Sequence, residues 1–293
     1  MEMLEEDAFV MRKRAVDSAN GPAVVEYLVC EPLESAGFIN AFSTRRGGVS
    51  ALPADALNLA PLKGDSQENV IENRRRFLAA IGAAQAVLIT GRQTHSTDRV
   101  SVATREQALG PQPQCDGITS KLDGILLAIQ TADCLPILIG DPTSGSMAAI
   151  HAGWRGTAGR IAERTIADLM QLGVDPRHAI AALGPAACGD CYEVGQDVIE
   201  RYKKEFRYWR DLLVDFEEDG KAHLDIQAAN TQQLLFCGFT EDRIHVAPYC
   251  TMHNDDLFFS YRREARGQER GTGRLLSVIG KASGGVSDAR SRP

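Results

Sequence analysis

The chain has 293 residues, of which 44% are hydrophobic and 24% are charged, the composition of a globular protein that can bury a sizeable core. Its formal charge of −7 argues against general nucleic-acid binding, which favours basic surfaces. No apolar run approaches the roughly 18 residues that a membrane span requires, and the N-terminal residues show no signal-peptide core. We therefore expect a cytoplasmic protein, monomeric at this size, with no nucleic-acid or membrane partner and with seven reduced cysteines.

Strands and helices intermix along the sequence, which indicates one α/β (α+β) domain over residues 21–280. Residues 1–20 are predicted to form a mobile arm and residues 281–293 a disordered tail. The apolar patterns predict strands at 24–29, 38–43, 86–90, 99–103, 125–129, 135–139, 147–150, 179–183, 212–216, 222–224, 243–247 and 275–279. They predict helices at 65–81, 156–172, 194–206 and 226–237, and a loop at 105–114. The first helix is expected to begin at Asp65, which has capping-box spacing with Glu68.

The most informative stretch runs from Gly124 to Gly156. It contains three apolar runs bounded by turn residues, at 125–129, 135–139 and 147–150, which is typical of strands buried on both faces. Cys134 precedes one of these strands and His151 follows the next, so the thiol and the imidazole can lie close together. The same residues also fit a buried structural cysteine and a hydrogen-bonded structural histidine, and spacing alone leaves both alternatives open.

Other polar clusters follow predicted strands, at ends where α/β proteins often place binding residues. Gln93 and His95 follow the strand at 86–90, and Arg45 precedes paired glycines whose amides can face an anion. Arg155 lies in the glycine-rich segment after His151. An exposed basic turn and an exposed loop histidine are the simpler alternatives for Arg45 and His95.

Two later patterns are ambiguous. The run that contains Tyr261 and Arg262 fits either a phosphate-binding segment or an edge strand with a solvated basic end. Cys188 and Cys191 form a CxxC pair, which suggests a redox pair or half of a zinc site. Because no second CxxC stands at zinc-ribbon distance, the sequence favours two structural thiols.

Several motifs occur in an order that resembles the YfiH-like family, over nearly the whole chain. They are STRRGGVS (43–50), QTHS (93–96), ADC (132–134), HAGWRG (151–156), YEVG (192–195), FSYRR (259–263) and TGR (272–274). Members of this family have been described as multicopper polyphenol oxidoreductases (laccases) and as purine nucleoside phosphorylases. They include the peptidoglycan editing factor and the laccase-domain protein FAMIN.

The resemblance implies a layered sandwich of mixed β-sheet flanked by helices, similar to the catalytic domain of cytotoxic necrotizing factor. It implies a metal, usually Zn²⁺ and sometimes Cu²⁺, held by His95, Cys134 and His151. Three protein ligands leave a fourth position for water or substrate, as catalytic zinc sites do. The implied reactions are phosphorolysis of purine nucleosides (adenosine, inosine and S-methyl-5′-thioadenosine) and deamination of adenosine.

The implied activity assigns roles to individual residues. Cys134, His151, Asp133 and His95 are the predicted catalytic residues. Charge and loop position select Arg45, Arg155 and Arg262 to hold phosphate, and Asp133 or Asp116 is the expected proton donor or acceptor. The predicted substrate-binding and phosphate-binding residues are Arg45, Asn58, Gln93, Asp116, Arg155, Tyr261 and Arg262.

Three alternatives stay open at this stage. A hydrolase that edits peptidoglycan precursors would use Cys134 as a nucleophile rather than as a ligand. A metal-binding module without catalysis is the second, although structural zinc sites usually have four protein ligands. A laccase is the least favoured, because the chain has six histidines, none in an H-x-H pair, and a multicopper enzyme needs several copper centres.

Overall fold

The computed structural model describes residues 8–18, 21–52, 55–216, 220–264 and 271–282. Within these ranges, apolar runs form the strands and helices, and polar turns separate them. The strands are β1 (Phe9–Val16), β2 (Ala23–Cys30), β3 (Ile39–Ser43), β4 (Arg46–Ser50), β5 (Val87–Thr90), β6 (Arg99–Val102), β7 (Gly117–Ser120), β8 (Ile125–Thr131), β9 (Leu135–Gly140), β10 (Met147–Ala152), β11 (Ile180–Leu183), β12 (Glu193–Val194), β13 (Leu213–Val214), β14 (Ala222–Leu224), β15 (Ile244–Val246) and β16 (Leu275–Gly280). The α-helices are α1 (Glu31–Ser35), α2 (Gln67–Ala80), α3 (Arg105–Ala108), α4 (Trp154–Ala158), α5 (Ile161–Gln171), α6 (Gln196–Glu205), α7 (Ile226–Phe236) and α8 (Tyr261–Glu264). Two short 3₁₀ helices lie at Trp209–Asp211 and Glu241–Arg243.

Two mixed six-stranded sheets form the centre of the fold. Their strand orders are β1-β2-β3-β16-β8-β5 and β15-β11-β9-β10-β7-β6, and a small third sheet has the order β12-β14-β13. Most neighbours are antiparallel, whereas β5–β8, β6–β7 and β11–β15 are parallel. None of the described helices combines the length and the apolar character needed to cross a membrane.

The two large sheets pack face to face and carry helices on their outer faces. Leu127 and Ile129 of one sheet share an apolar cluster with Leu138 and Ala149 of the other. Successive strand residues point to opposite faces, so Ile137 contributes to a different cluster, with α5 and α7. Helix α2 covers the other outer face. The predicted α/β class, with a layered mixed sheet flanked by helices, is confirmed.

The N-terminal segment departs from the prediction. Phe9–Val16 is a strand rather than part of a mobile arm, and it pairs antiparallel with β2 along its whole length. The strand forms because Phe9 and Val16 are buried in the core and Arg12 pairs with Glu34 at 2.6 Å. Residues 1–7 and 19–20 of the predicted arm and 283–293 of the predicted tail lie outside the described residues.

Two predicted helices differ in their details. Helix α2 is capped by Ser66, whose hydroxyl accepts from the N–H of Asn69, so Asp65 does not cap it. The helix predicted at 156–172 is two helices, α4 and α5, because Arg160 between them is left-handed at φ 62°. The loop predicted at 105–114 begins with the one-turn helix α3.

Candidate functional site

Cys134 and His151 lie side by side because their strands are neighbours. Strands β9 and β10 pair antiparallel, with His151 opposite Pro136 and Ala152 opposite Leu135. Cys134 immediately precedes β9, which places its thiol next to the imidazole at the end of β10. The preceding residue, Asp133, has a left-handed backbone at φ 85°, which turns the chain into the strand.

His95 reaches the same point from the loop after β5. Its ring packs edge-on against that of His151, with the centroids 4.8 Å apart. One ring nitrogen from each histidine and the sulfur of Cys134 all lie within 4.8 Å of one another. The backbone of His95 is left-handed at φ 59°, a conformation that is uncommon for a residue other than glycine and that the surroundings must hold.

Asp116 is the group that holds both histidines. Its buried carboxylate accepts hydrogen bonds from the backbone N–H groups of Thr94, His95 and Ser96, at 2.8 to 3.2 Å. It also accepts from Nδ1 of His151 at 2.7 Å. Burial alone would raise the pKa of Asp116, but the hydrogen bonds from His151 and Ser96 outweigh it and hold the pKa well below its usual range. Since Nδ1 is occupied, Nε2 is the nitrogen that His151 can offer to a metal.

The thiol of Cys134 and the ring of His151 stabilise each other's charged forms. Burial would raise the pKa of Cys134, but the positive charge of His151 lowers it to about 6. Burial would lower the pKa of His151, but the Cys134 thiolate raises it to about 9. Cys134 is therefore a thiolate near neutral pH, the form in which cysteine binds metals or attacks carbonyl groups.

Gly153 keeps space open between the three side chains. A methyl group on Gly153 would lie 3.1 Å from Cδ2 of His95 and 3.2 Å from Sγ of Cys134. Two imidazole nitrogens and one thiolate, with room beside them, are a suitable donor set for zinc with an open fourth position. The geometry and the donor atoms therefore fit a metal bound by His95, Cys134 and His151.

These three residues form part of the wall of a cavity of about 750 Å³. The other charged lining residues are five arginines and one carboxylate, namely Arg74, Arg92, Arg155, Arg262, Arg274 and Asp133. The aromatic lining residues are Trp154, Tyr192 and Tyr261. A cavity of this size accommodates a small organic ligand, and the excess of arginines favours an anionic one.

The structure brings most of the sequence-predicted residues to this cavity, but not all of them. Those that line it are Gln93, His95, Asp133, Cys134, His151, Arg155, Tyr261 and Arg262. Asp116 lies behind His151. Arg45 does not line the cavity: it pairs with Glu264 at 2.6 Å and stacks on the ring of Phe259. Asn58 is fully buried, and its side-chain oxygen accepts from the N–H of Arg274 at 2.9 Å.

Two of the lining residues are already engaged by their surroundings. The carboxylate of Asp133 accepts from the hydroxyl of Thr251 and from the backbone N–H of Arg262, both at 2.7 Å. The amide of Gln93 donates to the carbonyl of Gln130 and accepts from its N–H. Both side chains therefore hold the walls of the cavity in place.

Sequence reasoning missed Arg74, Arg92 and Arg274 as cavity residues. Arg274 is the last residue of the TGR motif, and this motif is the only feature of the sequence that indicated a role for Arg274. Its guanidinium donates to the carbonyls of Thr272 and Gly273, and burial lowers its pKa. Arg74 lies on α2 and donates to the carbonyl of Leu59, and nothing in the local sequence connects that helix with the cavity.

Comparisons with known proteins cover most of the chain. A family model described as "Multi-copper polyphenol oxidoreductase laccase" matches residues 39–282. The purine nucleoside phosphorylase of Deinococcus radiodurans is 40% identical over 255 residues, which cover 86% of this chain and 93% of that protein. Adenosine deaminase RL5, from an unknown prokaryotic organism, is 36% identical over 232 residues, covering 77% of this chain and 88% of that protein. The crystal structure of YlmD from Geobacillus stearothermophilus has a TM-score of 0.80 and 31% identity, and the match covers 93% of this chain and 100% of that one.

Proposed function

Because the chain belongs to the family described as multi-copper polyphenol oxidoreductase laccase, which confirms the YfiH-like resemblance of its motifs, we propose that it is a zinc-dependent purine nucleoside phosphorylase that also deaminates adenosine. The relatives named for these two activities support the reaction classes. The observation that carries the proposal is a single cavity that contains both the His95–Cys134–His151 cluster and five arginines.

His95, Cys134 and His151 would hold the metal, with Asp116 orienting the ring of His151 through Nδ1. A bound zinc ion supplies Lewis-acid chemistry, which polarises an oxygen atom or makes water more acidic. The same donor set also occurs in copper sites, so copper is the alternative metal. A laccase needs several copper centres rich in histidine, and neither potential metal group among the described residues contains more than two histidines.

The arginines would bind phosphate and place it against the ribose. In phosphorolysis a phosphate oxygen forms a bond to C1′ while the C1′–N9 bond breaks, and the purine leaves with a proton. Guanidinium groups match phosphate oxygens in charge and geometry, and Arg155, Arg262 and Arg274 line the same cavity as the metal cluster. The exposed ring of Tyr261 also lines the cavity and offers a face on which a purine can stack.

The two aspartates considered as proton carriers have positioning roles in this proposal. Both oxygens of Asp133 accept hydrogen bonds, one from the hydroxyl of Thr251 and one from the backbone N–H of Arg262, which fixes the first turn of α8. Asp116 lies behind His151 and touches the loop of His95 rather than the cavity. Each aspartate therefore holds a substrate-facing residue in place.

Deamination would use the same cavity without phosphate. Water adds to C6 of adenine, the C6–N6 bond breaks, and ammonia leaves. Since this reaction needs the metal cluster but not the phosphate-binding arginines, the two activities should separate in variants of those arginines.

One observation favours a second candidate function. Asp116, His151 and Cys134 form a line in which the carboxylate orients the imidazole and the imidazole stabilises the thiolate. This is the arrangement of a cysteine hydrolase, in which Cys134 would attack an amide carbonyl. A peptidoglycan-precursor hydrolase would use the site in this way.

Product analysis distinguishes the two functions. Protein loaded with zinc is incubated with adenosine in the presence and absence of phosphate. We expect adenine and ribose 1-phosphate only with phosphate, and ammonia in both cases, with inosine accumulating without phosphate and passing on to hypoxanthine with it. If neither product forms while muropeptide amides are cleaved with a trappable acyl-enzyme at Cys134, the nucleoside proposal is wrong.

The matched control variant for Cys134→Ser is Cys237→Ser. Cys237 is a free cysteine at the end of α7 and does not line the cavity. Cys134→Ser should abolish turnover, and Cys237→Ser should leave it unchanged.

A further inference from the structure

A second group of potential metal ligands lies apart from the His95–Cys134–His151 cluster. Cys188 and Cys191 follow β11, and Cys250 and His253 follow β15. One ligand atom from each of the four side chains lies within 4.8 Å of every other. The sequence favoured two structural thiols at Cys188 and Cys191, and the structure instead gives this pair two further partners.

The fold brings the two segments together through backbone pairing. Strands β11 and β15 run parallel, and an isolated bridge between Ala186 and Cys250 extends their contact. The N–H of Thr251 donates to the carbonyl of Ala186 at 3.0 Å. The two turns that carry the ligands are therefore fixed relative to each other by main-chain hydrogen bonds.

The spacing of the ligands is that of a zinc site. Cys188-x₂-Cys191 and Cys250-x₂-His253 each place two donors on one tight turn, a ligand spacing typical of structural zinc modules. The sequence alone did not predict this site, because the partner of the CxxC pair is a CxxH pair that begins 62 residues after Cys188.

The donor atoms lie close to the separations of tetrahedral coordination without yet reaching them, and only one of the two ring nitrogens of His253 can be the ligand. Bond lengths of about 2.3 Å to sulfur and 2.0 Å to nitrogen require donors roughly 3.5 to 3.8 Å apart. The sulfur of Cys191 is 3.0 Å from Nε2 of His253, and that of Cys188 is 3.9 Å from Nδ1 of the same ring. The backbone N–H of Cys188 donates to the sulfur of Cys250 at 3.4 Å, an interaction that stabilises a thiolate.

We propose that Cys188, Cys191, Cys250 and His253 bind one Zn²⁺ in a closed, four-ligand structural site. Three thiolates and one imidazole fill the tetrahedral shell and leave no position for substrate, unlike the three-ligand cluster in the cavity. Hard cations are disfavoured because none of the four ligands is an oxygen donor.

The site would stabilise the cavity wall. Tyr192, next to Cys191, lines the cavity, and Thr251, next to Cys250, donates to the carboxylate of Asp133. The N–H of Ala187 donates to the carbonyl of Asp133 at 3.0 Å. A metal that joins the two turns therefore fixes residues on both sides of Asp133.

Metal counting tests this inference. Full-length protein, purified in reducing buffer and equilibrated with zinc followed by desalting, is analysed by elemental analysis and native mass spectrometry. We expect two zinc ions per chain in the unaltered protein, one in Cys134→Ser and one in Cys188→Ser/Cys191→Ser. Cys237→Ser, the matched control, should keep two.

Cobalt substitution identifies the ligands in a variant that keeps all four of them. The Co²⁺ form of Cys134→Ser should keep a strong thiolate-to-cobalt charge-transfer band and the visible bands of a tetrahedral site. Chelation should loosen the segments around 188–192 and 250–254, measured as faster hydrogen exchange there.

Two results would overturn the inference. One is a Cys134→Ser variant that binds no zinc and gives no tetrahedral cobalt spectrum. The other is a disulfide among Cys188, Cys191 and Cys250 in protein kept under reducing conditions, detected by peptide mapping. Neither result depends on the activity of the cavity, so the proposed function is tested separately.

Discussion

Replacement of Asp116 by Asn removes the carboxylate that organises the cavity cluster without changing its shape. One oxygen accepts from the N–H of His95 and from Nδ1 of His151, and the other accepts from the N–H groups of Thr94 and Ser96 and from the Ser96 hydroxyl. An amide has only one oxygen, so its NH₂ group must face donors on one side. Whichever way the amide is placed, at least one backbone N–H loses its partner.

The magnitude follows from these contacts. If the NH₂ faces His151, the ring must move its proton to Nε2, which removes the lone pair directed at the metal. Loss of a partner that orients a ligating histidine typically costs about 10–100-fold in metal affinity or activity. At 1.4 kcal/mol for each factor of ten, this is about 1.4–2.8 kcal/mol. The buried N–H left unpaired adds about 1–3 kcal/mol of lost folding stability.

Zinc affinity, measured by competition with a chromophoric chelator, and kcat for adenosine at saturating zinc are the assays. A ¹⁵N spectrum of the histidines reports the tautomer of His151, which a general loss of stability would not change. Asp141→Asn is the matched control, because Asp141 is also buried and accepts from the N–H groups of Thr143 and Ser144 outside the cavity. If Asp116→Asn binds zinc as tightly as the unaltered protein and keeps the same tautomer, the positioning role of Asp116 is wrong.

Three further predictions concern the space beside the cavity metal cluster, the charge of a cavity arginine and the stability that an ion pair on helix α2 contributes. Gly153→Ala should weaken zinc binding in the cavity by about 1–3 kcal/mol, because its methyl group meets atoms at 3.1 and 3.2 Å, and an unchanged affinity would contradict this. Arg155→Gln should raise the KM for phosphate by about 10–100-fold, because the variant loses a charge-assisted hydrogen bond to phosphate. The rate of adenosine deamination should stay unchanged. Its control is Arg210→Gln, since both arginines stack on a neighbouring tryptophan but Arg210 does not line the cavity. Hydrogen bonding from Arg75 lowers the pKa of Glu72 to about 2, so Glu72→Gln should cost about 1 kcal/mol of unfolding free energy at pH 7. Because the pKa of Glu72 is lower in the folded state than in the unfolded state, the stability difference between the variant and the unaltered protein should disappear as the pH falls from about 4.5 towards 2. Urea unfolding at several pH values measures this difference, and a difference that does not change with pH would refute the prediction.

Local patterns predicted the part of the site that depends on neighbouring strands. Cys134 and His151 were found because a turn joins two apolar runs, and the register of β9 and β10 follows from that turn. His95 was found because polar residues directly follow β5. The roles of these residues, like the monomeric state and the cytoplasmic location, stay predictions.

Features that depend on distant partners were not accessible from local patterns. Asp116 organises residues about 20 and 35 positions away, whereas the sequence predicted it only as a proton carrier or a substrate-binding residue. The partners of Cys188 lie more than 60 positions downstream. The strand Phe9–Val16 was missed because its central residues are charged, and its pairing with β2 overrides that local preference.

The chain concentrates positive charge in the cavity although its overall charge is −7. Within the described residues, cavity arginines are oriented by uncharged groups: Arg262 donates to the carbonyl of Glu193, and Arg274 donates to those of Thr272 and Gly273. A carbonyl fixes the guanidinium but leaves its net charge in place, and the resulting repulsion is relieved when an anion binds. Arg45 shows the contrast, since its ion pair with Glu264 neutralises it and makes it part of the scaffold. The type of acceptor therefore separates arginines that are available to a phosphate from those that hold the fold together.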